Sequence, residues 1–242
     1  MATDLKEKVA VVTGGTRGIG YAIAYRLLDE GSRVVICGRD EKRLEKATRQ
    51  LEKKFPGRCR GVVADVSRYE DCRTLIGQAA ESFGGIDILV NNAGFGFFKP
   101  VDRINPEEWD DLIGTNLNGV FYCVREAVRW MRKRGGGYIF NISSLAGVNA
   151  FSGGSAYNAS KFGLNGFSEA IMQDLRHDGI RVSYIMPGSV DTDFAADPGG
   201  KARATWKLTG EDIAKAVVDL YRYPAASLAS RIEIRPARPP KK

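Results

Sequence analysis

The sequence predicts an α/β fold: a doubly wound, open parallel sheet of seven strands with helices on both faces, folded as a single domain over 1–242. Three observations carry this expectation. Short β-branched runs alternate with longer amphipathic stretches, helix patterns fill nearly every gap between the runs, and a Gly-rich segment joins the first run to the first amphipathic stretch. Strands separated by crossover helices must run parallel, and the handedness of such crossovers places helices on both faces.

Taken in order, the first strand is predicted at 8–13 and the first helix at 19–30. The remaining strands are predicted at 33–37, 61–65, 86–91, 138–143, 180–186 and 231–235, each a short segment built around β-branched residues. About six helices occupy the gaps, among them 106–134 and 152–177. In residues 39–54, basic residues interleave with Asp40, Glu41, Glu45 and Glu52 as on a solvated helix face. Residues 192–210, with Pro198-Gly199-Gly200 near the middle, are expected to form a substrate lid. Residues 236–242 read as a basic, Pro-rich tail.

Composition narrows the function. The 242 residues are 43% hydrophobic and 27% charged, with 28 Gly and 9 Pro, which excludes collagen-like, disordered and coiled-coil chains. No apolar run approaches the roughly 20 residues of a membrane span, and MATDLKEK lacks the apolar stretch of a secretory signal, so a soluble, cytoplasmic protein is expected. Cys37, Cys59, Cys72 and Cys123 form no CxxC pair, and His177 is the single histidine. Neither a disulfide framework, a metal site nor a His-dependent hydrolase is indicated. The net charge of +7 is spread without a recognised nucleic-acid motif, so no nucleic-acid partner is expected.

Chemistry concentrates after the strands, where doubly wound sheets bind ligands. Thr13-Gly14-Gly15-Thr16-Arg17-Gly18-Ile19-Gly20 leaves the first strand and opens the first helix, so its backbone N–H groups and the helix dipole can meet a pyrophosphate. The spacing is TGxxxGxG, and the Lys-Ser/Thr of a P-loop is missing, which disfavours ATP or GTP hydrolysis. After the second strand stands Arg39 in place of the usual ribose-binding acid. Arg39, with Arg17 as partner, suits a 2′-phosphate, so NADP(H) is the expected cofactor.

With these features the chain resembles the short-chain dehydrogenase/reductase family over nearly its whole length, which implies a Rossmann-type fold. The resemblance implies an adenine contact at Asp65 and Val66, a structural motif at Asn91, Asn92, Ala93 and Gly94, and a turn at Pro187 and Gly188 that continues through Val190 and Thr192 at the nicotinamide. It implies a catalytic set of Asn116, Ser144, Tyr157 and Lys161. The i, i+4 spacing of Tyr157 and Lys161 puts both on one helix face. The ammonium is therefore expected to lower the phenol from its usual pKa of about 10, for proton transfer, and Lys161 to hold the nicotinamide ribose. Ser144 is expected to stabilise the substrate oxyanion, and Asn116 to hold a helix distortion and a water for proton relay.

The expected substrate is a small carbonyl compound or its alcohol with an apolar body, because Phe95, Phe97, Phe98, Phe151, Phe194 and Trp206 fall in segments that line the active-site mouth in the family. A carbonyl reductase is the first reading. β-Ketoacyl-carrier-protein reductases share the core motifs, but their VDGG-like C-terminal signature is absent. A regulatory protein that binds NADP(H) without turnover is the reading from outside the enzymes. A homodimer or homotetramer is expected through the helices at 106–134 and 152–177, which carry apolar residues on more than one face.

Overall fold

The structure, a computed structural model, describes residues 4–191, 205–224 and 226–240. Its strands are β1 (Val9–Val12), β2 (Arg33–Gly38), β3 (Cys59–Val63), β4 (Ile88–Asn91), β5 (Gly137–Ile142), β6 (Ile180–Pro187) and β7 (Arg231–Ile234). All pair in parallel, in the order β3-β2-β1-β4-β5-β6-β7. The chain winds outward from β1 in one direction and from β4 in the other, so the crevice at the carboxyl ends of β1 and β4 is the topological switch point. The α-helices are α1 (Gly18–Asp29), α2 (Glu41–Lys54), α3 (Tyr69–Phe83), α4 (Pro106–Ile113), α5 (Gly119–Lys133), α6 (Ser155–Leu175) and α7 (Gly210–Tyr221).

Strand alternation sorts the core into two layers. Ala10, Val12, Val34, Ile36, Ile88, Val90 and Phe140 point to one face, where α1, α2 and α7 supply Ile23, Leu27, Leu44, Leu51, Ile213 and Val217. Val11, Val35, Leu89 and Ile139 point to the other, against Leu75 and Ile76 of α3, Cys123 and Ala127 of α5 and Leu164 of α6. Each fully buried Leu or Ile contributes about 2 kcal/mol. With both faces covered, the central strands carry apolar residues at successive positions. Helix starts are set locally: Thr209 and Asp212 form a capping box on α7, and Asn105 and Glu108 one on α4.

Two expectations need correction. The third strand begins at Cys59, two residues before the predicted start, because Cys59 and Arg60 pair with Val34 and Val35. As the edge strand it leaves Arg60 and Gly61 exposed, so no apolar run marks where it starts. Residues 106–134 form two helices rather than one, making seven among the described residues where about six were expected. α4 and α5 meet at a π-helical turn, Gly114–Asn118, whose extra residue breaks the 3.6-residue pattern.

All four cysteines are free and buried, and burial pushes the Cys37 and Cys59 thiols up to about 12. No described helix is long and apolar enough to cross a membrane.

Candidate active site

A cavity of about 1040 Å³ opens over the switch point. Its floor is the glycine loop. Gly14 has φ +63°, and a Cβ there would lie 2.9 Å from Ala93 Cα, so both backbone conformation and space require glycine. Thr13 Oγ1 accepts from the amides of Asn92 and Ala93, both at 3.0 Å, and the Asn92 amide donates to the carbonyls of Thr13 at 2.9 Å and Gly14 at 3.2 Å. The segment after β4 thus clamps the loop after β1. Arg17 occupies the N-cap of α1 in extended conformation and makes no side-chain cap. The uncapped first turn of α1, with its positive dipole end, suits a phosphate.

Of the loop residues, Gly14, Thr16, Arg17, Gly18 and Ile19 line the cavity. Gly20 does not. A Cβ at Gly20 would lie 2.4 Å from Asn92 Nδ2 and 2.4 Å from the Gly14 carbonyl oxygen, so its role is to leave room for the clamp beneath the loop.

Beyond the loop, Arg39 projects from the end of β2, largely exposed, with Nη1 3.6 Å from Asp65 Oδ2. Burial opposes ionisation of Asp65, but the Ser67 hydroxyl and amide and the Arg39 guanidinium outweigh it and hold the carboxyl below its usual range. Asp40, the acid beside Arg39, caps α2 by accepting from Arg43 N at 3.0 Å and lies 3.3 Å from Arg43 Nε. Arg43 lines the cavity as well, a position the sequence reading passed over. It stands in the first turn of α2, whose N-cap Asp40 directly follows Arg39, and that closeness to the end of β2 was the available signal.

At the opposite end, Ser144, Tyr157 and Lys161 share a wall. Ser144 follows β5 and caps a short 3-10 turn, Leu145–Gly147, by accepting from Ala146 N at 3.1 Å; its hydroxyl is bonded to the Tyr157 phenol. Lys161 is buried, with Nζ donating to the Ile142 carbonyl at 3.0 Å and lying 5.9 Å from the centre of the Tyr157 ring. Burial depresses its pKa to about 8. The expected lowering of the Tyr157 pKa is not what the geometry gives. Burial pushes the phenol up and the Ser144 hydrogen bond offsets this in part, because phenol and ammonium lie in the same desolvated wall and both lose hydration when charged.

Asn116 lies in the π-turn, as the resemblance implied, but does not line the cavity. Its Oδ1 accepts from Phe95 N at 3.0 Å, and its amide donates to Phe95 O at 2.9 Å and Ser160 Oγ at 3.1 Å. Both N–H donors are therefore engaged. Asn116 thus ties the backbone of Phe95 to Ser160, which lies between Tyr157 and Lys161 on α6.

Asp65, Val66, Asn92, Ala93, Gly94, Pro187, Gly188 and Val190 all line the cavity. Thr192, Phe194 and most of the expected lid lie outside the described residues. Of the aromatic candidates, Phe95, Phe98 and Phe151 line the substrate end; Phe98 meets Phe151 edge-on at 5.3 Å and Tyr157 at 5.9 Å. Phe97 lies beneath Lys99 and Trp206 beneath Lys207, and neither lines the cavity. Lys207 and Arg235 do line it and went unnoticed. Arg235 is the first residue after β7, at the strand end where such sheets bind ligands.

A sequence model described as short chain dehydrogenase matches residues 8–201. An uncharacterized oxidoreductase of Staphylococcus saprophyticus is 33% identical over 96% of this chain and 99% of its own length. A 3alpha-hydroxysteroid dehydrogenase of Mediterraneibacter gnavus is 36% identical over 79% of this chain and 77% of its own. Among solved structures, a metagenomic short-chain oxidoreductase in complex with NADP superposes with TM-score 0.84 at 35% identity, covering 98% of this chain and 100% of that one. An alcohol dehydrogenase from the archaeon Thermococcus sibiricus, complexed with 5-hydroxy-NADP, gives TM-score 0.89 at 28% identity, with coverage of 98% and 100%.

Proposed function

The chain belongs to the short-chain dehydrogenase/reductase family, and from that premise we propose that it is an NADP(H)-dependent oxidoreductase interconverting a ketone or aldehyde and its alcohol. One observation carries the reading. Ser144, Tyr157 and Lys161 share a wall of the same cavity whose far end presents Arg39 where a ribose-binding acid would otherwise stand.

The residues present fit the cofactor. The cradle that a Cβ at Gly14 would fill, together with Thr16, Arg17, Gly18 and Ile19, would hold the pyrophosphate. Asp65 and Val66 would border the adenine, Arg39 and Arg17 the 2′-phosphate, and Asn92, Ala93, Gly94, Pro187, Gly188 and Val190 the nicotinamide half. Thr192 belongs to the same proposed set. When bound, the nicotinamide supplies or accepts the hydride.

The chain's own residues handle the proton. Burial keeps the Tyr157 phenol protonated at neutral pH, so in the reducing direction its O–H is the acid for the carbonyl oxygen. Ser144 accepts from Ala146 N and its hydroxyl is bonded to the Tyr157 phenol, so the two hydroxyls together face the oxygen of a carbonyl substrate, Ser144 stabilising the developing oxyanion. Lys161, depressed to about 8, exchanges a proton near neutral pH and would hold the nicotinamide ribose. Asn116 is a positioning residue acting through Phe95.

Phe95, Phe98 and Phe151 favour a substrate with an apolar body, and the relative named as a 3alpha-hydroxysteroid dehydrogenase supports that preference. Four free, buried cysteines support a reducing, cytoplasmic setting. For a homodimer or homotetramer the support is on α5 and α6, where Phe121 and Phe162 stay 43% and 46% exposed.

The test is an NADPH-oxidation screen over aldehydes, ketones and ketoacyl thioesters. Turnover of ketones or aldehydes with apolar bodies is expected. Tight NADPH binding with no turnover of any compound would overturn the enzyme reading in favour of a regulatory NADP(H)-binding protein, and turnover confined to thioesters would favour a carrier-protein reductase.

A further inference from the structure

The charges lining the cavity are not evenly placed. Its two lining carboxylates among the described residues, Asp40 and Asp65, both stand at the end formed by β2 and β3. The described residues of the substrate end supply none, and Arg235 enters the lining from the end of β7.

The fold brings Arg235 to this place through Gly188. The Gly188 amide donates to the Ile234 carbonyl at 2.7 Å, extending the pairing of β6 with β7 past Pro187. A Cβ on Gly188 would lie 3.0 Å from Pro236 Cδ and 3.3 Å from Leu145 Cδ1. Lacking a side chain there, the chain seats residues 235 and 236 against the turn that begins at Ser144. Strand alternation puts Arg231, Glu233 and Arg235 on one face of β7. Arg235 bonds Glu233 Oε2 through Nη2 at 2.8 Å and Nε at 3.2 Å, while Arg231 reaches Glu233 Oε1 at 3.5 Å. Two arginines share one carboxylate, and the Arg235 side chain remains 56% exposed. A guanidinium has five N–H donors, so this contact leaves Arg235 with donors for a second anion.

We propose that Arg235 selects carbonyl substrates that carry a carboxylate or other anionic group at the end remote from the carbonyl, with Phe95, Phe98 and Phe151 covering the apolar body between. This assigns a substrate class to the site and rests on the reductase reading above. Glu233 competes with the substrate anion for Arg235. Removing its charge while keeping an amide acceptor therefore strengthens acid binding, whereas removing the guanidinium abolishes the preference.

The probes are 4-acetylbenzoate and its methyl ester, in which an aromatic ring separates the ketone from the acid, titrated calorimetrically against the protein in the presence of NADP⁺, so that binding is read without turnover. The acid is expected to bind about tenfold tighter than the ester, as for one charge-assisted hydrogen bond. Arg235→Gln should equalise the two, and Glu233→Gln should tighten the acid severalfold with the ester unchanged. Equal affinities in the wild type, no binding of the acid, an acid preference that survives Arg235→Gln, or weaker acid binding in Glu233→Gln would each overturn the proposal. NADPH oxidation with the same pair separates the two readings. Acid-selective binding without turnover of any carbonyl overturns the reductase and leaves the anion site standing. Turnover of the ester at the acid's kcat/KM overturns the anion site and leaves the reductase standing.

Discussion

The two ends of the cavity are made of different material. The end under the glycine loop is chiefly backbone: an uncapped helix start, two close-packed glycines and a clamp from Asn92 onto the carbonyls of Thr13 and Gly14. The substrate end is side chain, drawn from segments after β4, β5 and β7 that meet only through the sheet order. A site made of backbone tolerates no added atoms whatever their chemistry. A site made of side chains tolerates shape-conserving change but not loss of a functional atom.

The largest expected effect tests the second half of that contrast. Tyr157→Phe removes one oxygen and no volume, so NADPH binding and thermal stability should hold while kcat falls about 10³-fold, within the usual range for a general acid; stopped-flow cofactor binding and steady-state rates measure both. A rate within threefold of wild type would break the comparison. The next effect tests the first half. Gly20→Ala adds one methyl 2.4 Å from both the Asn92 amide and the Gly14 carbonyl, and should cost about 3 kcal/mol of stability, as overpacking against backbone does. Urea unfolding reads it, and NADPH binding should weaken with it although Gly20 does not line the cavity.

Lys161 sharpens the contrast through pH. Its pKa of about 8 in the folded chain lies below the ordinary lysine value of 10.5, so between these pH values the unfolded chain binds more protons. Stability then rises with pH across that window, and below pH 8 the burial cost is fully present. Lys161→Met should therefore stabilise the protein by about 2 kcal/mol at pH 7, less at pH 10, while activity is lost; unfolding curves at the two pH values check the sign. The smallest effect is at Arg39. Arg39→Ala should narrow the preference for NADPH over NADH by about tenfold, the worth of one charge-assisted contact, since Arg43 lines the cavity nearby; dissociation constants for both cofactors measure it.

This difference in material also explains what the sequence made legible. The glycine loop, the Tyr157–Lys161 pair and all seven strands depend on neighbours a few residues apart, and the chain spells them out locally. The start of β3 depends on its pairing with β2, and the break between α4 and α5 on one residue too many. Arg235 is 91 positions from Ser144 by sequence number, and only the seating of Pro236 over Gly188 joins them. The raised pKa of Tyr157 is not legible in the sequence, because helix spacing reports a cation's proximity and not the water that both groups lose.

The π-turn at Gly114–Asn118 makes chain length a functional variable. Each residue advances an α-helix by about 100°, so deleting any one of these five would rotate α4 through that angle relative to α5 while scarcely changing composition or apolar content. Asn116 would swing away from Phe95, and the aromatic wall would lose its anchor with every wall residue still in the sequence. Substitution scans across this segment would register chiefly Asn116, whereas a scan of single-residue deletions would find all five positions equally intolerant.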